Sequence, residues 1–249
     1  MVKTEGSNPI DRLMERASVA LEKTRYFEAE RFCKEALQKA YAEGDFERMA
    51  RIVLPLQEAR RQKRQLAVDS GRVVVLAESD MMMAMVQDIL PGCYLFQPPL
   101  LGIDARNFRE EADARGVPTF VLCREPMTRD GMWPLVAVGQ VALRTRVPPP
   151  VPLQRIETGI TKDGYTGTPP PSAAWFEAAA EALGDAAIAK LRFDEPAAWR
   201  VDDLMTVLSV HPDHEKLHQR LEEACRQAAI ESLPPEQRHR PPASDAFGF

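Results

Sequence analysis

The chain has 249 residues, of which 45% are hydrophobic and 28% charged, and it carries a formal net charge of −5. This length and composition are typical of a globular protein with one large domain or a few small ones. The acidic balance argues against a nucleic-acid binder, because such proteins concentrate lysine and arginine. No apolar run approaches the roughly 20 residues that span a bilayer, and the N-terminus lacks the apolar segment of a signal peptide. We therefore expect a cytoplasmic protein without a nucleic-acid or membrane partner.

The cysteine pattern supports the same compartment. The cysteines are far apart and show no C-x-x-C spacing; they are Cys33, Cys93, Cys123 and Cys225. This spacing predicts reduced, mostly buried thiols and argues against a disulfide framework or a cysteine zinc site. The composition, rich in alanine and arginine and poor in asparagine, is typical of a bacterium with a GC-rich genome.

Two proline-rich stretches divide the sequence. We expect residues 148–171 to form an extended linker and residues 233–249 a disordered tail. Outside these stretches the pattern predicts an N-terminal helical segment over 1–68, a small α/β domain over 71–147 and a C-terminal helical segment over 172–232.

The N-terminal segment shows the pattern of three helices. Asn8 is suited to cap the first, with Pro9 at its first position, where a missing N–H costs nothing. Gly44 ends the second helix and Asp45 caps the third, which Pro55 is expected to bend without ending it. Apolar residues recur three or four positions apart in the first two helices, at Ile10, Leu13, Ala17, Ala20, Leu21, Ala29, Phe32, Cys33, Ala36, Leu37 and Ala40.

These helices resemble tetratricopeptide repeats, in which a unit of about 34 residues forms a helix pair with small residues at the crossing. The matching positions are Leu13, Arg16, Ala17, Tyr26, Ala29, Cys33, Ala36 and Leu37, with Arg16 and Ala17 in place of the usual Leu-Gly pair. A second junction resembles a repeat boundary at Pro212-Asp213, followed by His218, Leu221, Glu222 and Cys225 at packing positions. The resemblance implies stacked helix pairs whose grooves bind segments of partner proteins.

The central segment changes to strands. The predicted elements are strands at 72–77, 93–96 and 118–123, helices at 79–90 and 104–115, and a final strand pair at 135–138 and 141–147. Ser79 or Asp80 is expected to cap the first of these helices. The strand at 93–96 is weak in the sequence. The C-terminal segment returns to three helices, the second of which begins at Pro196. We therefore expect an α+β, mostly α fold: tetratricopeptide-like helix pairs flanking a small, mainly parallel α/β sheet.

One short motif carries metal chemistry. The stretch from His214 to His218 fits H-E-x-x-H, in which two histidines on one helical face bind zinc and the glutamate polarises a water. Pro212 places His214 in the first helical turn, Lys216 is charged, and no third ligand follows at the usual spacing. His214 and His218 are therefore weak metal candidates, and we expect no cofactor.

The loops after the predicted strands offer a second candidate site, because open α/β sheets bind ligands beyond the carboxyl ends of their strands. Polar residues suited to such a site are Ser79, Asp80, Arg124, Glu125, Arg129 and Asp130. The loops lack the glycine-rich motifs of nucleotide sites, so these residues are also compatible with ordinary solvated loops. A basic run in the third helix, Arg60 to Arg64, is expected to be solvated.

No serine, cysteine or threonine lies in a recognisable nucleophile motif. The leading hypothesis is therefore a non-enzymatic interaction or scaffold protein, whose helical-repeat grooves bind another protein or a peptide. One alternative is a small-ligand-binding or catalytic α/β domain with helical accessories. A zinc hydrolase of the H-E-x-x-H type is the least favoured alternative.

Overall fold

The computed structural model describes residues 8–150 and 170–232. The linker predicted at 148–171 lies mostly outside these residues, and the tail predicted at 233–249 lies wholly outside them. Within the described part, helices from both ends of the chain pack with a five-stranded sheet in a mixed α/β fold. No helix of this part has both the length and the apolar character to cross a membrane.

Every helix and strand predicted in the described part has a counterpart. The helices are α1 Pro9–Glu22, α2 Tyr26–Glu43, α3 Phe46–Asp69, α4 Ser79–Gln87, α5 Gly102–Ala114, α6 Ala173–Ile188, α7 Ala197–Val210 and α8 Glu215–Ala228. The strands are β1 Val73–Leu76, β2 Gly92–Phe96, β3 Thr119–Arg124, β4 Trp133–Val138 and β5 Ala142–Val147.

The predicted signals at the ends of the first helices are confirmed. The Asn8 side chain accepts a backbone N–H at the start of α1, and the Asp45 side chain does so at the start of α3. Gly44 ends α2 with φ +66°, a left-handed conformation that glycine adopts without a steric penalty. Helix α3 continues through Pro55 for 24 residues.

The predicted cap of α4 is wrong. Glu78 is the N-cap and makes no side-chain capping bond, while Ser79 and Asp80 lie inside the first turn. The helix also ends at Gln87, before the predicted end at residue 90. After Gln87 the chain is no longer helical, and Ile89 packs in the core that the sheet forms with α4 and α5.

The sheet has the strand order β1-β2-β3-β4-β5. The first three strands are parallel, as the sequence predicted, and β4 and β5 add an antiparallel edge. Strand β2 is weak in the sequence but buried along its whole length, because it lies between β1 and β3 and is covered on both faces.

Each face of the sheet packs against a different helix pair. Cys93 and Leu95 of β2 face a core formed with α3 and α6. Tyr94 and Phe96, which alternate with them, face a core formed with α4 and α5. This two-residue alternation is the ordinary geometry of a strand, and it makes the sheet the middle of three layers.

The helices from the two ends of the chain share one hydrophobic core. Residues of α1, α2 and α3 pack in it with residues of α7 and α8. Helix α3 runs from this core to the sheet, where Ala67 packs against the strands. The predicted segments 1–68 and 172–232 are therefore joined by tertiary packing.

The expectation that the basic run in α3 is solvated is wrong. Arg60 and Lys63 are buried and bind the buried carboxylate of Glu30, which lies on α2. Arg64 donates to the Asp213 carbonyl and to Glu215 at the start of α8. These three residues face neighbouring helices, whereas Arg61 is partly exposed and pairs with Glu58 of its own helix.

Candidate functional site

A cleft of about 760 Å³ opens beyond the carboxyl ends of β2 and β3. It lies between the segment that leads from β2 into α5 and the loop that joins β3 to β4, with β4 and β5 along one side. Its charged lining residues are Arg106, Arg124, Glu125, Arg144 and Arg146. Ligand sites of open α/β sheets occupy this end of the strands.

Arg124 is the last residue of β3 and one of the lining residues. Its guanidinium lies 4.4 Å above the ring of Trp133, a cation–π contact. The Nη2 group donates to Gln97 Oε1 at 2.6 Å, while the buried Nε group has no hydrogen-bond partner in the described residues. Burial lowers the pKa of Arg124 from its ordinary value. A ligand anion would offset the desolvation of this cation.

The other arginines reach the cleft from β5 and α5. Arg144 and Arg146 are two residues apart on β5, so their side chains lie on the same face. Arg144 is 3.3 Å from Glu125 Oε1, and Arg106 is on the first turns of α5. Four arginines thus line the cleft with one carboxylate, that of Glu125, among the described lining residues.

The start of α5 forms a further part of the wall. Leu101, Gly102 and Ile103 line the cleft, so the N-terminal end of the helix, with its partial positive charge, lies there. A Cβ at Gly102 would lie 3.1 Å from the side chain of Val138, which shows how closely this helix end packs on β4. The helix end and the arginines act in the same direction and favour an anion.

Large apolar side chains are exposed at the mouth of the cleft. Leu101 is 63% exposed and Ile103 is 44% exposed. Met127, which is 60% exposed, lies between Pro126 and Thr128, two residues that line the cleft. We call Leu101, Ile103 and Met127 the apolar lip. Exposed apolar groups beside a cleft are typical of interaction sites.

Only part of the site predicted from the sequence lies in this cleft. Arg124 and Glu125 line it, whereas Arg129 and Asp130 belong to the same loop but are not among its lining residues. Ser79 and Asp80 are also not among them. They start α4 after β1, which is the opposite edge strand of the sheet, so they lie away from the cleft.

Sequence reasoning missed Arg106, Arg144 and Arg146. The alternation of arginines in the strand sequence Ala142–Val147 was a usable signal, because it places two positive charges on one face of an edge strand. The register of β5 against β4, with Arg144 opposite Val136, brings that face to the end of β3.

The reactivity of the lining side chains is limited by their surroundings. Burial raises the pKa of the Cys123 thiol to about 12, so it stays protonated and is a poor nucleophile near neutral pH. Glu125 is held by Arg144. Arginine stays protonated and does not act as a general base. Thr128, another lining residue, donates its hydroxyl to the carboxylate of Asp130. Neither a histidine nor a lysine, the other common general bases, is among the described lining residues.

The H-E-x-x-H residues are engaged in structural contacts. His218 Nδ1 donates to the His214 carbonyl at 3.0 Å, and its Nε2 therefore accepts from Arg60 at 3.2 Å. Glu215 accepts from Arg64 at 2.6 Å. His214 is the N-cap residue of α8 and faces a different helix, α6. Because both ring nitrogens of His218 are already hydrogen-bonded and the His214 ring faces α6, the two histidines do not form a pair of metal ligands.

Comparison with known proteins reveals no relative. No family model matches the chain, and neither a curated protein nor a solved structure is significantly similar to it.

Proposed function

We propose that this protein is a non-enzymatic, cytoplasmic binding protein that captures an acidic segment of a partner protein in the arginine-lined cleft. The observation that carries the proposal is the combination of four lining arginines with an exposed apolar lip at one end of the sheet. The protonated Cys123 thiol, and the lack of a histidine or lysine among the described lining residues, support binding without catalysis.

The chemistry of the cleft defines the segment that it would bind. Aspartate and glutamate side chains form strong, charge-assisted hydrogen bonds with arginine. Large apolar residues next to these carboxylates would bury the lip, whose exposure extends the surface beyond the cleft itself. A protein segment fits a surface of this extent better than a compact metabolite does.

We propose that the helical segments act as a tetratricopeptide-like scaffold for this site. In such repeats the groove between helix pairs binds the partner. Here α8 packs along α3 and α7 packs on α8, so much of the corresponding surface is used inside the molecule. This packing favours the cleft at the sheet, rather than a repeat groove, as the place where the partner binds.

A selection from a library of random peptides tests the proposal. The full chain is expected to enrich peptides that combine Asp or Glu with large apolar residues. Arg106→Gln should weaken their binding, because it removes a cleft charge from an exposed position on α5. Arg220→Gln is the matched control, since Arg220 is also exposed and also forms an ion pair within its own helix. No enrichment, or equal effects of the two substitutions, would contradict the proposal.

A small organic anion is the second candidate ligand. The unpaired Nε of Arg124, a lining residue, favours it, because an anion would give this buried donor a partner without using the apolar lip. Citrate and inorganic phosphate are suitable probes in a thermal shift assay. A rise in melting temperature with either anion that Arg106→Gln reduces, without any peptide enrichment, would favour this candidate.

A further inference from the structure

A second cluster of chemically capable side chains lies where α6 meets α8, away from the cleft. Glu181 and Asp185 are one turn apart on α6, and His214 precedes the first residue of α8. His214 Nε2 is 3.3 Å from Glu181 Oε2 and 3.5 Å from Asp185 Oδ1. One possible ligand atom from each of the three residues lies within 4.8 Å of the others.

The buried imidazole of His214 lacks hydrogen bonds to the described residues, and this points to a ligand. Its side chain is completely buried, yet neither ring nitrogen makes a hydrogen bond within the described residues. A buried polar group without a partner costs free energy, and such groups are rare in folded proteins.

The backbone of α6 is adapted to this ring. A Cβ at Gly184 would lie 2.2 to 2.5 Å from atoms of the His214 imidazole, so only glycine leaves room for it. Glycine inside a helix is destabilising relative to alanine. Helix α6 thus has a destabilising residue, Gly184, at the position that lets the imidazole lie beside Glu181 and Asp185.

We propose that Glu181, Asp185 and His214 bind a divalent transition-metal ion such as zinc. One imidazole nitrogen and two carboxylate oxygens are a ligand set that suits zinc and its neighbours in the first transition row. Three protein ligands leave a coordination position for water or for a group from a partner. The site shares His214 with the H-E-x-x-H pattern but takes its other ligands from α6.

Lys216 regulates access to this site. Its ammonium group is 2.8 Å from Asp185 Oδ2 and 3.6 Å from Glu181 Oε2, where it neutralises the carboxylates that would hold the metal. The side chain is half exposed and is free to turn into solvent when a metal ion displaces it. Lys216 is therefore a built-in competitor for the metal.

Calorimetric titration of zinc chloride into the untagged, EDTA-stripped full chain tests the site. We expect one zinc ion per chain, and a loss of affinity of about tenfold or more for Glu181→Gln and for Asp185→Asn. Glu177→Gln, an exposed change one turn earlier on α6, is the matched control and should leave the affinity unchanged. Lys216→Gln should tighten binding several-fold, because the competing charge is removed.

The carboxylate variants keep the test decisive, because Glu181 and Asp185 are partly exposed and their substitution leaves the buried imidazole in place. Circular dichroism confirms that each variant is folded. Failure of the wild-type chain to bind zinc stoichiometrically would overturn the proposal. Zinc binding that is equal in the wild type, Glu181→Gln and Asp185→Asn would overturn it too, since the ion would then lie elsewhere.

Discussion

At the scale of single residues, the most consequential feature is a charged network inside the helical core. Glu30 accepts from Arg60 at 2.9 Å and from Lys63 at 2.6 Å. Burial alone would raise the pKa of Glu30, but the two cations outweigh it and hold that pKa far below its usual range. Arg60 also donates to His218, so the network connects α2, α3 and α8.

Two buried histidines should make the protein sensitive to mild acid. Burial lowers the pKa of His211 and of His218 to about 3, against an ordinary value of 6.5, and neighbouring positive charges act in the same direction. Between these values the unfolded chain binds more protons than the folded chain, so stability falls as the pH falls below 6.5. At pH 5 the loss should be about 2 kcal/mol for each histidine.

Urea unfolding at pH 7.5 and at pH 5 measures this effect. His218→Gln is the informative variant, because it removes one of these buried rings. It should be less stable than the wild type at pH 7.5 but should lose less stability on acidification. A wild-type free energy of unfolding that is constant from pH 7.5 to 5 would show that these rings titrate in the folded protein as they do in the unfolded chain.

At the scale of elements, the start of α5 combines a structural defect with a binding feature. Leu101 is the N-cap, where Ser, Thr, Asp and Asn are preferred because their side chains accept an N–H of the first turn. Its own N–H donates to Asp104 Oδ2 at 2.8 Å, which is one half of a capping box. The leucine leaves the other half unmade and instead presents an apolar group to the cleft.

Leu101→Ser should therefore separate stability from binding. The serine completes the capping box, and the free energy of unfolding should rise by about 0.5 to 1 kcal/mol. The same change removes part of the apolar lip, so selected peptides should bind more weakly. Ile103→Ser is the control, because it also shortens the lip but adds no cap. An unchanged peptide affinity in both variants would show that the lip takes no part in binding.

Elements that depend on local signals were predictable from the sequence. The caps at Asn8 and Asp45 and the left-handed Gly44 require only neighbouring residues, and the structure confirms them. The burial of Arg60 and Lys63 was not predictable in this way, because it depends on Glu30 from another helix. For the same reason β2 looks weak in isolation, although strands on both sides bury it completely.

The residues of the cleft were also predictable from the sequence only in part. Arg124 and Glu125 could be predicted because they directly follow a strong strand. Arg144 and Arg146 enter the cleft only through the register of the β4–β5 pair, which the sequence does not reveal. Ser79 follows β1, so it lies away from the cleft. This depends on the order of the strands in the sheet.

At the level of the whole molecule, residues from the two sides of the proline-rich stretch pack together. The shared helical core contains residues from both sides of it, including Ile52 and Leu56 from α3 and Leu217 and Leu221 from α8. Arg64 and Glu215 add an ion pair of 2.6 Å between the same two helices. The parts before and after the stretch therefore fold around a common core.

Cleavage within 151–169 should consequently leave the molecule associated. A chain that carries a site for a sequence-specific protease in this stretch can be cut and then analysed by gel filtration, with the uncut chain as the control. We expect the two pieces to elute together in native buffer and to separate only in denaturant. Separate elution in native buffer would contradict the common core and favour independent domains.

Arginines of the cleft should couple energetically to carboxylates of the bound segment, and a double-mutant cycle measures this coupling. A selected peptide is titrated against the wild type and Arg106→Gln, and each of its acidic residues is replaced in turn by the corresponding amide. Carboxylates that contact the cleft should lose affinity in the wild type but much less in Arg106→Gln, with a coupling energy of about 1 kcal/mol or more at one position. Additive losses at every acidic position would contradict the claim, because the peptide would then bind without using this arginine.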